Sequence, residues 1–197
     1  MLFVDAGFAG DLQDSKSTTG SFLVLVGPQT WAPISWMCKK QVPISHSSSE
    51  AEVIALEAAL RLEGIPALLF WDEVIAMFSD LPKKKWVAPG RTANNGNTIH
   101  SFLANVDYVP PSLPMAQGLT KLILMEDNDA VIKMTIKGRS PNMRHVARVH
   151  RVDLHWLFER IRNHPGIEIR WVDTKHQIAD IFTKGTFVAS TWQSLCQ

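Results

Sequence analysis

Cysteine is almost absent from this 197-residue chain: Cys38 and Cys196 stand far apart and in no metal-ligand spacing. That excludes a disulfide framework, leaves two inert thiols and fits a reducing compartment. Neither sign of charge dominates, with 20 Lys plus Arg against 19 Asp plus Glu. The balance argues neither for nor against a polyanionic partner, so any basic footprint has to be local. Long hydrophobic runs are missing too; the longest uncharged apolar stretch near the middle, residues 65–71, is far short of a membrane span. The first residues carry Asp5 and Asp11 and no basic region leading into an apolar run, so no signal peptide is expected. These absences predict a soluble, intracellular protein, cytoplasmic and not secreted, with no membrane partner. What is present is a 46% hydrophobic composition, enough for a real core, on a length that suits a single domain over residues 1–197. Strand-like residues follow Met1 at once, and the expectation is a piece of a longer protein.

Three apolar runs, at 2–4, 21–26 and 31–36, read as strands joined by short links, an antiparallel meander. Pro33 restricts the third to an edge or bulged strand. In SSSEAEVIALEAALRLEG the period changes to helical, with Ser49 as cap, Glu52 three residues on, and Gly64 as the stop. Pro66 opens a second helix through LLFWDEVIAMF. Residues 80–118, with Lys83-Lys84-Lys85, Gly90 and Pro110-Pro111, show no period and read as an insertion or long loop. A strand over 122–125 and a short helix ending near Gly138 follow, then a basic helical stretch over 143–163 and a strand over 167–172. Thr174 and Gln177 make a capping-box spacing ahead of a helix over 178–184. The order of elements predicts an α/β fold with a mixed sheet. The seven tryptophans, mostly in apolar runs, read as core, with Trp156 open to a surface position.

Four acids occupy places where metal-dependent phosphodiester chemistry would need them. Asp5 ends the first predicted strand, Asp127 ends the fourth, Glu52 lies in the first turn of the main helix, and Asp180 in the last short one. Hard divalent ions take oxygen ligands, and sites in open α/β sheets collect beyond the carboxyl ends of parallel strands. Each acid could equally be a solvated cap, and Glu52 could serve its own helix in a capping box. Spacing alone leaves both roles open. Along the same helix Glu50, Glu57 and Arg61 fall on one stripe that reads as solvent-facing, with Glu57 and Arg61 a four-residue ion pair.

The strings FVDAGFAGD, STTGSF, ISWMCKKQ, SSSEAEVIALEAAL, EDNDAVI, RHVARVHRVDLHWLFERI and IEIRWVDTKHQIADIFTKG occur in one order. In that order they resemble the ribonuclease H domain of copia-type LTR retrotransposon Pol polyproteins, with its patterns SDADWAGD, KSTSGY, SWKSKKQ, SSTEAEYIAL, CDNQSA and QLADILTK. The resemblance covers residues 3–62 and 122–186. It implies a ribonuclease H-like fold with a five-stranded mixed sheet flanked by helices, joined to a reverse transcriptase domain in a polyprotein. It implies cleavage of the RNA strand of RNA–DNA hybrids using two Mg²⁺ ions, for which Mn²⁺ substitutes. The catalytic and metal-holding tetrad carried over by motif is Asp5, Glu52, Asp127 and Asp180. Asp5 would bridge both ions, Asp180 would serve the ion that activates water, and Glu52 and Asp127 the one beside the leaving 3′ oxygen. The chain departs from the pattern at Met125-Glu126, where the family has an aromatic residue and Cys, and in the length of 80–118. His176, four residues before Asp180, stands as an exposed residue or one that reaches the site.

For the nucleic acid, Lys39, Lys40, Ser48, Ser49, Asn128, Arg148 and Arg151 are the candidates. A hybrid is held through backbone and 2′-hydroxyl contacts, which suit small polar and basic side chains. The serines and Asn128 read equally as caps, and the basic block from Lys133 to Arg162 equally as a solvated face. His150 with Asp153 is given no zinc. Two further functions stay open: a non-catalytic hybrid-binding or connection module, and a transposase- or integrase-like nuclease on the same fold.

Overall fold

Leu2, Val4 and Ala6 alternate along the first strand with Phe3 and Asp5, and all five are buried, so β1 (Leu2–Gly7) has two covered faces. In the computed structural model the structure describes residues 1–11, 13–42, 44–79, 119–140, 143, 145–146 and 152–196. β2 (Thr18–Gly27) and β3 (Thr30–Lys40) follow as the expected antiparallel meander. Proline cannot donate to a ladder, and β3 is indeed an edge strand. Its register shifts where Leu23 faces Ser35 but Val24 faces Pro33, leaving Ile34 as the extra residue of a bulge. β4 (Leu122–Glu126) and β5 (Ile167–Trp171) add to the other side of β1 in parallel. The result is an α/β structure with a five-stranded mixed open sheet, order β3-β2-β1-β4-β5, flanked by helices.

The main helix α1 (Ser48–Ala59) runs through a π-helical turn, Leu60–Gly64, into α2 (Ile65–Phe78). Gly64 therefore does not stop α1 as its sequence position predicts; its φ of −64° is helical. Pro66 has no N–H to give, and the turn widens there so that the Ile65 N–H reaches the Leu60 carbonyl five residues back. A side chain at 64 would meet Leu122 Cδ2 at 2.8 Å and Leu2 Cδ2 at 3.1 Å, so glycine is needed for helix-to-sheet contact.

The remaining helices are α3 (Asp129–Lys137), ended by Gly138 at φ 68°, α4 (Leu154–Asn163), the four-residue α5 (Asp180–Thr183) and α6 (Ala189–Cys196). The basic stretch is not one helix: Val152 and Asp153 are non-helical, and Asp153 caps α4 through the Trp156 N–H. Arg148, Arg151 and His150 lie outside the described residues, as do residues 80–118. Among the described residues no helix is long and apolar enough to cross a membrane.

The core lies between the sheet and α1, α3 and α4, where Leu2, Val4, Leu56, Leu60, Leu124, Val131 and Leu157 are fully buried. Each such leucine contributes roughly 2 kcal/mol by leaving water. On the opposite face Phe3, Val24, Val172 and Ala179 form a thinner layer. Four of the tryptophans expected in the core, Trp31, Trp36, Trp171 and Trp192, are exposed, because β3 and the end of β5 are sheet margins and α6 is a surface helix. The stripe expected to face solvent is also corrected. Glu50 (2% exposed) and Glu57 (7%) are buried, because α1 packs against the sheet and against α3, with His145 at Glu50. Arg61 Nε still donates to Glu57 Oε1 at 2.8 Å.

Candidate metal centre

The site forms where β1 and β4 part. Their parallel pairing covers Leu2–Leu124 and Phe3–Met125, while β1 continues to Gly7 alongside β2. Asp5 is thus not the end of its strand as expected; it is the second residue past the divergence. Gln177 fills the gap, fully buried, its Nε2 donating to the Val4 carbonyl at 2.8 Å and the Met125 carbonyl at 3.4 Å. It does not close the predicted capping box, since the turn at Thr174–His176 is capped by Asp173. Instead it holds the two strands apart while satisfying their exposed carbonyls.

Into this opening project carboxylates from three elements. Oxygens of Asp5, Glu52 and Asp127 lie within 4.8 Å of one another, the group of potential metal ligands found among the described residues. Glu52 reaches it because the helix starts earlier than its sequence predicts. Ser47 is the cap, accepting from the Glu50 N–H at 3.1 Å, and Glu50 returns the favour by accepting the His46 N–H at 3.1 Å. The capping box is shifted by two residues, so Glu52 is past the first turn and free of capping duty.

Asp180, the fourth expected member, is buried beside the cluster without joining it. One of its oxygens accepts from Lys184 Nζ, while Thr183, on the same short helix, donates from Oγ1 to Asp5 Oδ2. Glycines allow α5 this close: a Cβ at Gly20 would lie 2.5 Å from Thr183 Cγ2 and 2.9 Å from the Ala179 carbonyl oxygen. Gly20→Ala should therefore push α5 off the sheet at a cost of about 2 kcal/mol. A thermal melt should show roughly a 6 °C loss. Gly27→Ala, whose Cβ meets nothing nearer than 3.5 Å, should melt as wild type; equal losses in the two would refute the close-packing account.

The acids repel one another in a dry setting. Burial first, then the charges of Glu126, Asp5 and Asp127, push the Glu52 carboxyl up to about 11, against a hydrogen bond from the Ala6 N–H. Asp180 is raised to about 6 by burial and by Asp5 and Asp127, with Lys184 opposing. Asp5 is raised by burial, with Thr183 and Lys184 pulling the other way. Glu126 lies outside the motif tetrad, yet it is fully buried, and burial raises it well above its ordinary range. It shares a face with Leu122 and Leu124 by strand alternation, and its Oε1 accepts the Asn128 N–H at 3.2 Å, fixing the turn that aims Asp127. The available signal was period two: in LILME every second residue faces the core, and the last of them is an acid.

The arrangement fits a divalent cation on two observations. Glu52 Oε2 and Asp180 Oδ1 are buried with no hydrogen-bond partner among the described residues, which is costly for a buried polar oxygen. The donors are all carboxylate oxygens, the set hard ions take. Compared with known proteins, the chain matches no family model, no curated protein and no solved structure.

The expected nucleic-acid contacts divide. Lys39 is exposed at the end of β3, level with Thr19 and Ala6, and by strand alternation it shares the face of Ala6 and not that of Asp5. Lys40 is paired with Asp11 and with Asp14 at 2.9 Å, which reduces its positive field. Ser48 and Ser49 begin α1; Ser48 is exposed and neither is the cap. Asn128 is the cap of α3, its Oδ1 accepting from Ala130 N at 3.0 Å and Val131 N at 3.4 Å. His176 is exposed and lines an apolar cavity with Phe3, Met125 and Ile178, a lining that includes none of the four acids.

Proposed function

We propose that this chain is a ribonuclease H-like domain that cuts the RNA strand of RNA–DNA hybrids with the help of divalent metal, as the resemblance to copia-type retrotransposon polyproteins implies. The observation that supports this most is the convergence of Asp5, Glu52 and Asp127 from β1, α1 and the end of β4, each at the position its motif assigns. Asp180 at the rim supplies the fourth acid of the motif set. A reverse transcriptase domain as covalent neighbour rests on the same resemblance.

In this reading Asp5, Glu52 and Asp127 would hold Mg²⁺, with Asp180 serving a second ion and Mn²⁺ replacing either. Bound there, a divalent ion lowers the pKa of water and offsets charge on the scissile phosphate. The chain's own groups do the positioning. Thr183 orients Asp5, and Thr174 Oγ1 donates to Asp127 Oδ2 at 2.8 Å. Glu126, through the Asn128 N–H, keeps the 126–128 turn rigid, and a fixed donor set needs no reorganisation when charge develops on the phosphate. In this reading the exposed Lys39 and Ser48, with Ser49, would meet backbone phosphates and 2′-hydroxyls.

The deciding experiment incubates labelled RNA–DNA hybrid, duplex DNA and duplex RNA with the chain and Mg²⁺ or Mn²⁺, and sizes the products on a gel. The expected result is cleavage confined to RNA in the hybrid, stopped by chelator. Equal cutting of duplex DNA would place the chain with transposase- or integrase-like nucleases. Hybrid binding without cleavage would make it a connection module.

A further inference from the structure

A cation already stands beside the cluster. Lys184, the residue after α5, bonds Asp180 Oδ2 through its ammonium, and its own backbone N–H donates to the Asp180 carbonyl at 2.9 Å, which anchors the stem. Partial burial works against its charge, but Asp180, Asp5 and Asp127 outweigh it and raise its pKa. The side chain is 42% exposed while the Asp180 side chain is buried, so the ammonium enters from solvent and can leave without disturbing the core. No such partner meets Glu52 Oε2 among the described residues. The two halves of the site are therefore unequal before any metal arrives. The Asp5–Glu52–Asp127 half has no bonded cation among the described residues, and the Asp180 half already has one.

We propose that Lys184 is a tethered cation that occupies the Asp180 side of the cluster, so that divalent ions load in order: first among Asp5, Glu52 and Asp127, and at Asp180 only by displacing the Lys184 ammonium. This rests on the reading that the cluster binds divalent metal. The physical basis is competition for one carboxylate. A tethered ammonium gives up no translational freedom when it binds, whereas a free ion must do so and must also shed water. The first half offers no comparable competitor, so the divalent ion has the advantage there. Because Lys184 is carried on the C-terminal cap of α5 and not on the sheet, its removal changes the occupancy of Asp180 and leaves the three other carboxylates in place.

The test is a calorimetric titration of the full chain with Mn²⁺, with free Mn²⁺ followed by electron paramagnetic resonance, on wild type, Lys184→Met and Lys184→Arg. Wild type should take one equivalent well before a second. In Lys184→Met the second should bind about tenfold tighter, the size expected when one charge-assisted contact no longer competes. Lys184→Arg, which keeps the charge, should follow wild type. Lys184→Met should also melt earlier without metal and gain more on adding Mn²⁺. Should Lys184→Met not fold, Lys184→Gln keeps most of the stem and carries the same expectation. Superimposable isotherms for wild type and the neutral variants would overturn the proposal, and so would Lys184→Arg behaving as Lys184→Met. An Asp5→Asn control keeps the two readings apart. If it leaves the first equivalent intact, or if wild type takes no Mn²⁺ at all, the metal centre itself is misassigned.

Discussion

Glu52→Gln should fold as well as wild type and cut an RNA–DNA hybrid roughly 10³-fold more slowly, since several kcal/mol of metal-derived charge stabilisation would be lost. Gln keeps the size of the side chain and an oxygen for the Ala6 N–H, so the local packing survives. It also removes one of the carboxyls that crowd together with Glu126 and Asp5, so the metal-free protein should lose no stability and could melt a few degrees higher. Asp5→Asn should show the same pattern. Glu50→Gln is the contrasting case. Glu50 closes the capping box at His46 and lies 3.2 Å from His145 Nε2, and a neutral amide can still accept both contacts. It should cost about 1 kcal/mol or less and remain active. The measurements are initial rates on a labelled hybrid together with thermal melts of the same preparations. An active Glu52→Gln beside a dead Glu50→Gln would show that the catalytic position on α1 is assigned two residues too late.

The sheet was legible because its strands are short apolar runs and Gly-Pro and Pro-Gly signals mark the turns before two of them. Pro33 even marked the edge strand and its bulge. The three acids that converge were legible from motif order. What the sequence hid was whatever depends on how elements cover one another. α1 is apolar on more than one side, so no helical stripe could tell which of its glutamates faced water, and three consecutive serines before it left the cap ambiguous by two residues. Ser47 wins because its partner Glu50 can also reach the His46 N–H. Gln177 looked like a capping residue from its spacing. Its role between β1 and β4 appears when the strands are seen to separate after Phe3 and Met125, a relation between segments more than 100 residues apart. The continuous helix through Gly64 and Pro66, two residues that usually punctuate, likewise depends on tight packing against Leu2 and Leu122.

Glu126 shows how a departure from a family pattern can carry information. At a position where the resemblance implies a small, weakly polar residue, this chain buries a carboxyl beneath its proposed metal ligands. A group there acts through its neighbours: it contributes the second-largest push on Glu52, after burial itself, and it fixes the turn that presents Asp127. Both effects bear on how strongly the site favours a divalent cation.

Without divalent metal, the protein should become less stable as the pH rises from 5 to 8, by roughly 5 °C in melting temperature, and Mg²⁺ should restore more of that stability at pH 8 than at pH 5. The sign follows from the carboxyls. Glu52 at about 11, Asp180 at about 6, and Asp5 and Glu126 at raised values all bind protons more tightly in the folded chain than in the unfolded one, where carboxyls titrate near 4. Between those values the folded state holds more protons, so stability is greatest near or below the unfolded pKa and falls as the pH passes the folded ones, Asp180 first. Asp11, Asp14 and Glu168 have lowered values and act in the opposite direction, but their window lies below the unfolded carboxylate range and leaves pH 5 to 8 untouched. His164 and the Met1 amine, both lowered by burial, oppose the trend near their own midpoints. Four crowded carboxyls against these two single groups set the net direction. Metal ligands must be deprotonated, so Mg²⁺ binds more strongly at the higher pH and its stabilisation grows there. Melts in EDTA and in excess Mg²⁺ across this range provide the measurement, with Asp180→Asn as the variant that should flatten the EDTA curve around pH 6. A melting temperature that rises from pH 5 to 8 in EDTA, or a Mg²⁺ effect of equal size at both ends, would mean that the buried carboxyls do not compete for protons and metal in the way their packing requires.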